Sequence, residues 1–140
     1  MPSTVTPYLH FNGNCRDAMA FYASLFSGTV DLMTYGESPV CEEMPPVSSE
    51  SVMHAQLTAG SLFLMACDVP PGMYQKPVGF AVALAVDTVE EAERIYQALG
   101  DGGTVIMALE ETFWAQRFAM VTDRFGTPWM INCLKPCLDT

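Results

Sequence analysis

Apolar and polar positions along this chain follow two different periods in turn. Residues 5–12 (VTPYLHFN) alternate, which predicts a strand with one covered face. From Cys15 the spacing lengthens: Met19, Tyr22 and Phe26 lie three and four residues apart, predicting a helix over 15–27. Asn14 stands where an N-cap is wanted, and Gly28 where a left-handed cap would end the helix. Residues 29–36 (TVDLMTYG) resume as a strand, and 37–50, rich in Pro, Ser and Glu, read as a loop. VMHAQLT (52–58) and SLFLMAC (61–67), joined by Ala59-Gly60, read as a β-hairpin. A Pro/Gly loop (DVPPGMYQKP) follows. The order then starts again, with a strand at 79–86 and a helix at 88–99. Asp87 or Thr88 introduces that helix, and Glu90 and Glu91 sit in its first turn. A GDGG loop leads to a strand at 104–110, and 116–122 with 127–133 make a last hairpin around Asp123–Gly126.

Short matches support a duplication. AMAFY (18–22) matches AERIY (92–96) at an offset of 74, and Gly28-Thr29-Val30 matches Gly103-Thr104-Val105 at 75. Thr58, Gly60, Ser61 and Phe63 lie over Thr122, Gly126, Thr127 and Trp129. A period this long indicates two fused modules, about 4–68 and 78–135, and not a solenoid. The expected fold is α+β, a single domain of paired βαβββ modules forming a curved eight-stranded mixed sheet with helices outside.

Strand alternation separates the two faces of each sheet. Leu9, Phe11, Met53, Ala55 and Leu57 are expected under a helix, as is Trp129. Thr6, Tyr8, His10, His54, Gln56 and Thr58 are expected on the concave side.

Composition narrows the partners. Half of the 140 residues are hydrophobic and 16% are charged, which suits a folded core and not a disordered chain. Sixteen acids against six bases, a net charge of −10, leave no basic patch for a phosphate backbone or an anionic membrane surface. A cationic ligand would be favoured by this field, although acidity also serves solubility alone. No apolar run approaches the roughly 20 residues of a membrane helix. The opening MPSTVTPYLH resembles no secretory signal, so a cytoplasmic protein is expected. Five cysteines (Cys15, Cys41, Cys67, Cys133, Cys137) form no CxxC pair and are odd in number, as reduced thiols would be.

PYLHFNGNCRDAMAFYASLFSG near the start and ETFWAQRFAMVTDRFGTPWMIN near the end strongly resemble the PhnB-like branch of the vicinal oxygen chelate superfamily. The resemblance covers nearly the whole chain. It implies the paired βαβββ fold, a homodimer and a concave pocket for a small molecule. Relatives include glyoxalase I, extradiol dioxygenases, fosfomycin-modifying transferases and bleomycin-binding proteins. Some PhnB-like proteins carry a ubiquinone-pathway methyltransferase label. That reading is rejected here, because the chain is short for an ordinary S-adenosylmethionine enzyme and lacks a Gly-rich nucleotide loop. Metal-using members carry His, Gln or Glu at four strand positions. Carried over by the helix and turn motifs, these fall on Thr6, Leu64, Ala81 and Met130, none a credible ligand. No metal and no other cofactor is therefore expected.

His54 is the leading candidate for proton transfer or hydrogen bonding, set against a merely structural histidine. Glu110 is the second catalytic candidate. In Glu110-Glu111-Thr112-Phe113-Trp114, a carboxylate against an apolar wall would have its pKa raised, while Trp114 would stack on a planar or cationic ligand. The plainer alternative is a loop with solvated acids. Tyr8, Gln56, Trp114, Phe118 and Met130 are expected to line the ligand pocket, with Met120 as a further adaptable wall. Glu42 and Glu43 lie in a loop able to cover it, with a solvated loop as the plainer alternative. His10 with His54 and either Glu110 or Asp68 would be an unorthodox metal set, although their spacing matches no ligand motif. Three readings stay open: a metal-independent small-molecule binder or enzyme, a metal-dependent enzyme with a displaced ion site, and a dimeric interaction domain with a vestigial pocket.

Overall fold

Strands and helices follow the order that the hydrophobic pattern predicts, in a computed structural model that describes residues 5–37 and 50–135. Cys41, Cys137, Glu42 and Glu43 lie outside the described residues. The chain divides into two units, Met1–Gln75 and Lys76–Thr140, each a βαβββ arrangement. Among the described residues the architecture is α+β, with two α-helices and eight strands in two four-stranded mixed sheets. No helix among the described residues is long and apolar enough to cross a membrane.

Unit 1 contains β1 (Tyr8–Phe11), α1 (Cys15–Phe26), β2 (Thr29–Thr34), β3 (Val52–Ala59) and β4 (Leu62–Asp68), in the sheet order β1-β4-β3-β2. β1 runs parallel to β4, and the other pairs are antiparallel. Ala18, Met19, Tyr22 and Leu25 form the buried stripe of α1, so the core line passes through Leu25 while Phe26 is only half-buried. The stripe packs on a sheet face made by Leu9, Phe11, Val52, Ala55, Leu57, Leu64 and Ala66, all nearly inaccessible to water. Each fully buried aliphatic side chain there contributes about 1.5–3 kcal/mol. Val52 takes the core place expected of Met53. The pairing shifts between Met33 opposite His54 and Thr34 opposite Val52, so the extra residue is absorbed as a bulge at Met53.

Both expected caps of α1 are corrected. Asn14 occupies the N-cap position, but its side chain makes no capping bond to the helix. Asp68, arriving from the end of β4, takes that part: its Oδ1 accepts from the Gly13 and Cys15 N–H groups, each at 2.9 Å. Its Oδ2 accepts from the Val52 N–H at 2.9 Å, and its carbonyl from the Tyr35 hydroxyl at 2.8 Å. One buried carboxylate thus ties β4, α1 and β3 together. At the far end Ser27, not Gly28, adopts the left-handed conformation (φ 55°). Gly28 is needed for a different reason. A Cβ there would lie 2.8 Å from Ala59 Cβ, Leu57 Cδ1 and the Thr58 carbonyl.

Unit 2 contains β5 (Val82–Ala85), α2 (Val89–Gly100), β6 (Thr104–Glu110), β7 (Ala115–Thr122) and β8 (Pro128–Leu134), in the order β5-β8-β7-β6. Thr88 caps α2, its hydroxyl accepting from the Glu91 N–H at 3.1 Å. Ala92, Ile95 and Leu99 face a core of Val82, Ala119, Val121, Trp129, Ile131 and Cys133. Trp129 is on the helix-facing side, as the alternation predicts. Its indole N–H donates to Asp123 Oδ2 at 2.8 Å, and Asp123 Oδ1 accepts from Phe125 and Thr127 N–H groups. Gly126 closes that turn at φ 94°. β6 is an edge strand, exposed at nearly every residue.

Candidate functional site

Helix-facing positions use the apolar residues of each strand, which leaves the polar ones on the other face. In unit 1 that uncovered face brings together Tyr8 and His10 of β1, Cys67 of β4, His54 and Gln56 of β3, and Asp31 and Met33 of β2. The Tyr8 hydroxyl reaches over β4 to lie 3.2 Å from His54 Nδ1. The Tyr8 ring also meets His10 edge-on at 5.7 Å and His54 at 5.9 Å. Burial of the phenol, reinforced by the neighbouring Cys67, pushes Tyr8 up to about 12, so at neutral pH it is an uncharged O–H group. Burial likewise pushes the Cys67 thiol up, so it is not an activated nucleophile. His54 and Gln56 line a cavity of about 210 Å³ with Asp31, Leu32 and Met33. Its polar lining can donate and accept at once: an imidazole, an amide and a carboxylate.

Unit 2 carries the other candidates. Glu110 is exposed at the end of β6, opposite Phe118 in the register. Glu111 is exposed and pairs with Lys135 at 3.0 Å, which holds its carboxyl below the ordinary carboxylate range. Trp114, 40% exposed, packs edge-on against Phe118 at 5.3 Å and against Phe113 at 4.9 Å. Phe118 is itself buried. Met130 lies on the uncovered face of β8, paired with Met120 of β7 and Ala83 of β5. The structure therefore groups Tyr8, His54 and Gln56 in one unit, and Glu110, Trp114, Phe118 and Met130 in the other.

The positions carried over from metal-using relatives do not fit an ion. Thr6, Ala81 and Met130 offer no imidazole or carboxylate, and Leu64 is 2% exposed on the helix-facing side, paired with Leu57. The repeat alignment slipped by one residue there. The β3–β4 hairpin turns through Gly60-Ser61, whereas β7–β8 turns through Asp123–Thr127, so Phe63 stands opposite Thr58 as Pro128 does opposite Thr122. Shifting by one gives Met65, which is no better a ligand. Among the described residues no three His, Cys, Asp or Glu side chains gather as a metal shell, and both Asp68 oxygens are engaged by backbone N–H groups.

Asp31, Met33, Cys67 and Asn132 were not anticipated from the sequence as uncovered-face residues. Their strand alternation carried the signal, since each occupies the parity opposite its core-facing neighbours. Asp31 and Met33 pair with Gln56 and His54. Asn132 follows Met130 on the same face of β8, and its Oδ1 is buried without a hydrogen-bond donor among the described residues.

Comparison with known proteins bears on this geometry. A family model described as 3-demethylubiquinone-9 3-methyltransferase matches residues 3–132. The chain is 35% identical to protein YjdN of Escherichia coli (strain K12) over 140 residues, 94% of this chain and 95% of that protein. It is 44% identical to protein PA1353 from Pseudomonas aeruginosa, a solved structure, over 96% of this chain and 100% of that one, with a TM-score of 0.87. The PhnB protein from Bacillus cereus shares the fold at a TM-score of 0.76 and 24% identity, over 94% of this chain and 99% of that one.

Proposed function

Because the chain belongs to the PhnB-like family, described as 3-demethylubiquinone-9 3-methyltransferase, within the vicinal oxygen chelate superfamily, we propose that it binds a small organic molecule without a metal, on the uncovered face of unit 1. The observation that carries this reading is the Tyr8–His54 contact at the 210 Å³ cavity. Where the Tyr8 hydroxyl donates to Nδ1, the imidazole presents its N–H at Nε2. His54 Nε2–H and the Gln56 amide then offer donors, and the Asp31 carboxylate offers an acceptor. A neutral or cationic ligand with one acceptor and one donor matches this set, and the net charge of −10 disfavours an anion. Tyr8 and Gln56 serve as binding residues in this reading, beside His54. Were the ligand also transformed, His54 would be the proton-transfer group of this face, while Glu110 belongs to unit 2.

Methyl transfer is not adopted from the family description. The turn between β1 and α1, Asn12-Gly13-Asn14, holds a single glycine, and neither sheet is the parallel, doubly wound kind that binds nucleotides at such a turn. A homodimer and a cytoplasmic location complete the proposal. The first is supported by the exposed apolar edge of β6 (Val105, Ile106, Met107), the second by the free thiols Cys15, Cys67 and Cys133. Sedimentation showing only monomers at micromolar concentration would remove the dimer.

A thermal-shift screen of neutral and cationic small molecules, followed by titration of each hit, tests the binding reading. Affinity should fall about tenfold or more in His54→Ala and in Gln56→Ala, a loss of at least about 1.4 kcal/mol. Hits that bind both variants as well as the native chain would overturn it. A divalent ion held one per chain and lost in His54→Ala would replace it with a metal-dependent enzyme.

A further inference from the structure

The turn from β1 into α1 reads Asn12-Gly13-Asn14, and Asn12-Gly13 is the one Asn-Gly step in the chain. Such a step carries its own covalent chemistry. The backbone nitrogen that follows an asparagine can attack the side-chain amide carbon, and glycine, without a Cβ, hinders that approach least. A bond from that nitrogen to Cγ closes a five-membered succinimide. The Cγ–Nδ2 bond breaks, and ammonia leaves with the proton given up by Gly13. Water then opens the ring at either carbonyl and leaves aspartate or isoaspartate at position 12. The second product adds a carbon to the main chain.

The fold exposes one reactant and restrains the other. Asn12 is exposed, so solvent reaches its side chain. Gly13 has a φ of 94°, which other residues adopt only with strain, so the turn keeps its glycine. The Gly13 nitrogen becomes a nucleophile only after losing its proton, and that N–H donates to Asp68 Oδ1 at 2.9 Å. Asp68 is 2% exposed and is itself held by the Cys15 and Val52 N–H groups, each at 2.9 Å. Removing the Gly13 proton would set an amide anion against a buried carboxylate, where little water screens the repulsion. Attack on Cγ would also pull the nitrogen out of its hydrogen bond. Asp68 thus opposes both the deprotonation and the movement that the reaction needs.

We infer that Asn12 is a site of spontaneous covalent modification, and that Asp68 guards it in folded unit 1. The reaction proceeds when the β1–α1 turn releases Asp68, and it does not reverse to asparagine. Isoaspartate lengthens the backbone between Phe11 and Gly13, so the Gly13 and Cys15 N–H groups lose their common fit to one oxygen. A chain modified once then opens more readily at this turn. The site is independent of the His54 reading, since no ligand enters it.

The full chain, incubated at mildly alkaline pH with and without unfolding urea, is followed by peptide mass spectrometry for the amide-to-acid change at Asn12. The native chain should age at least about tenfold more slowly than the unfolded one, equivalent to about 1.4 kcal/mol. Exchange of the Gly13 amide, read by NMR, should accelerate in step with ageing as urea is raised, because both need the same hydrogen bond to open. Asp68→Asn should age faster than Gly28→Ala, whose clash destabilises the same unit at the far end of α1, at urea concentrations that leave the two equally folded. Equal ageing of native and unfolded chains would overturn the inference, and so would a freely exchanging Gly13 amide beside an intact Asn12. Both of those outcomes are read without any variant, so they hold even where Asp68→Asn does not fold. Asp68→Asn ageing no faster than Gly28→Ala would overturn it as well.

Discussion

Replacing Asp68 with Asn removes a charge and turns one acceptor oxygen into a donor, at a side chain only 2% exposed. Three backbone N–H groups converge on this carboxylate: Gly13 and Cys15 on Oδ1, Val52 on Oδ2. The Asn amide can keep Oδ1 toward the first two, but its NH₂ group then faces the Val52 N–H. Leaving that buried donor unpaired costs about 1–3 kcal/mol, and weakening two charge-assisted bonds to neutral ones costs about 0.5–1 kcal/mol each. The neutral amide is cheaper to bury than a carboxylate, which offsets part of the sum. The net loss expected is about 3 kcal/mol, a large share of the 5–15 kcal/mol that stabilises a typical domain. Urea unfolding followed by circular dichroism measures it. With a slope near 1.5 kcal/mol/M the midpoint should fall by roughly 2 M, with the slope unchanged. EDTA should leave the native midpoint where it is, since both oxygens already have partners. A loss below about 1 kcal/mol would refute the carboxylate's role as the tie between β4, α1 and β3, and an EDTA effect abolished by the substitution would make Asp68 a metal ligand.

Two further outcomes follow from packing and from burial. Gly103→Ala drives a Cβ into the Thr122 carbonyl oxygen, so the backbone must move, and a loss of about 3 kcal/mol or more is expected in the same assay; Gly100→Ala, whose added Cβ meets only Val105 Cγ2 at 3.7 Å, is the tolerated control. Cys15 and Tyr8 are acids whose pKa values are raised by burial, the thiol from 9.0 and the phenol from 10.0 to about 12. The stability they contribute is complete below those ordinary values and is lost as the pH climbs toward the folded ones. The thermal midpoint should therefore decline above pH 9.0, with Cys15→Ala flattening the first part of the decline and Tyr8→Phe the later part. Unchanged profiles in both variants would contradict the assigned burial.

Strand parity and helix spacing were legible in the chain itself because side-chain periods are local. Leu9, Phe11, Ala55, Leu57 and Trp129 needed no tertiary information to be set against a helix, nor did Tyr8, His54 and Gln56 to be set on the opposite face. Gly28 and Gly103 were visible as a repeated pair, although their reason was not. Both are places where the backbone passes against the end of a hairpin, at the carbonyls of Thr58 and Thr122. That proximity is a property of two segments brought together by folding.

What the tertiary structure decided depends on such long-range meetings. Asn14 looked like a cap, but the N–H groups at the start of α1 found Asp68, 53 residues away from Cys15, already placed by the parallel pairing of β1 and β4. Met53 yielded its core place to Val52 because a bulge against β2 changed the count. Leu64 fell on the wrong face because one hairpin turns in fewer residues than the other, and a single-residue slip inverts every side chain beyond it. Tyr8 meets His54 across an intervening strand, and the Asn132 oxygen is buried where no donor among the described residues meets it. The sequence by itself thus determined which residues alternate and which face most of them take. Only the fold decided which of them touch, because register, turn length and the burial of single atoms depend on segments far apart along the backbone.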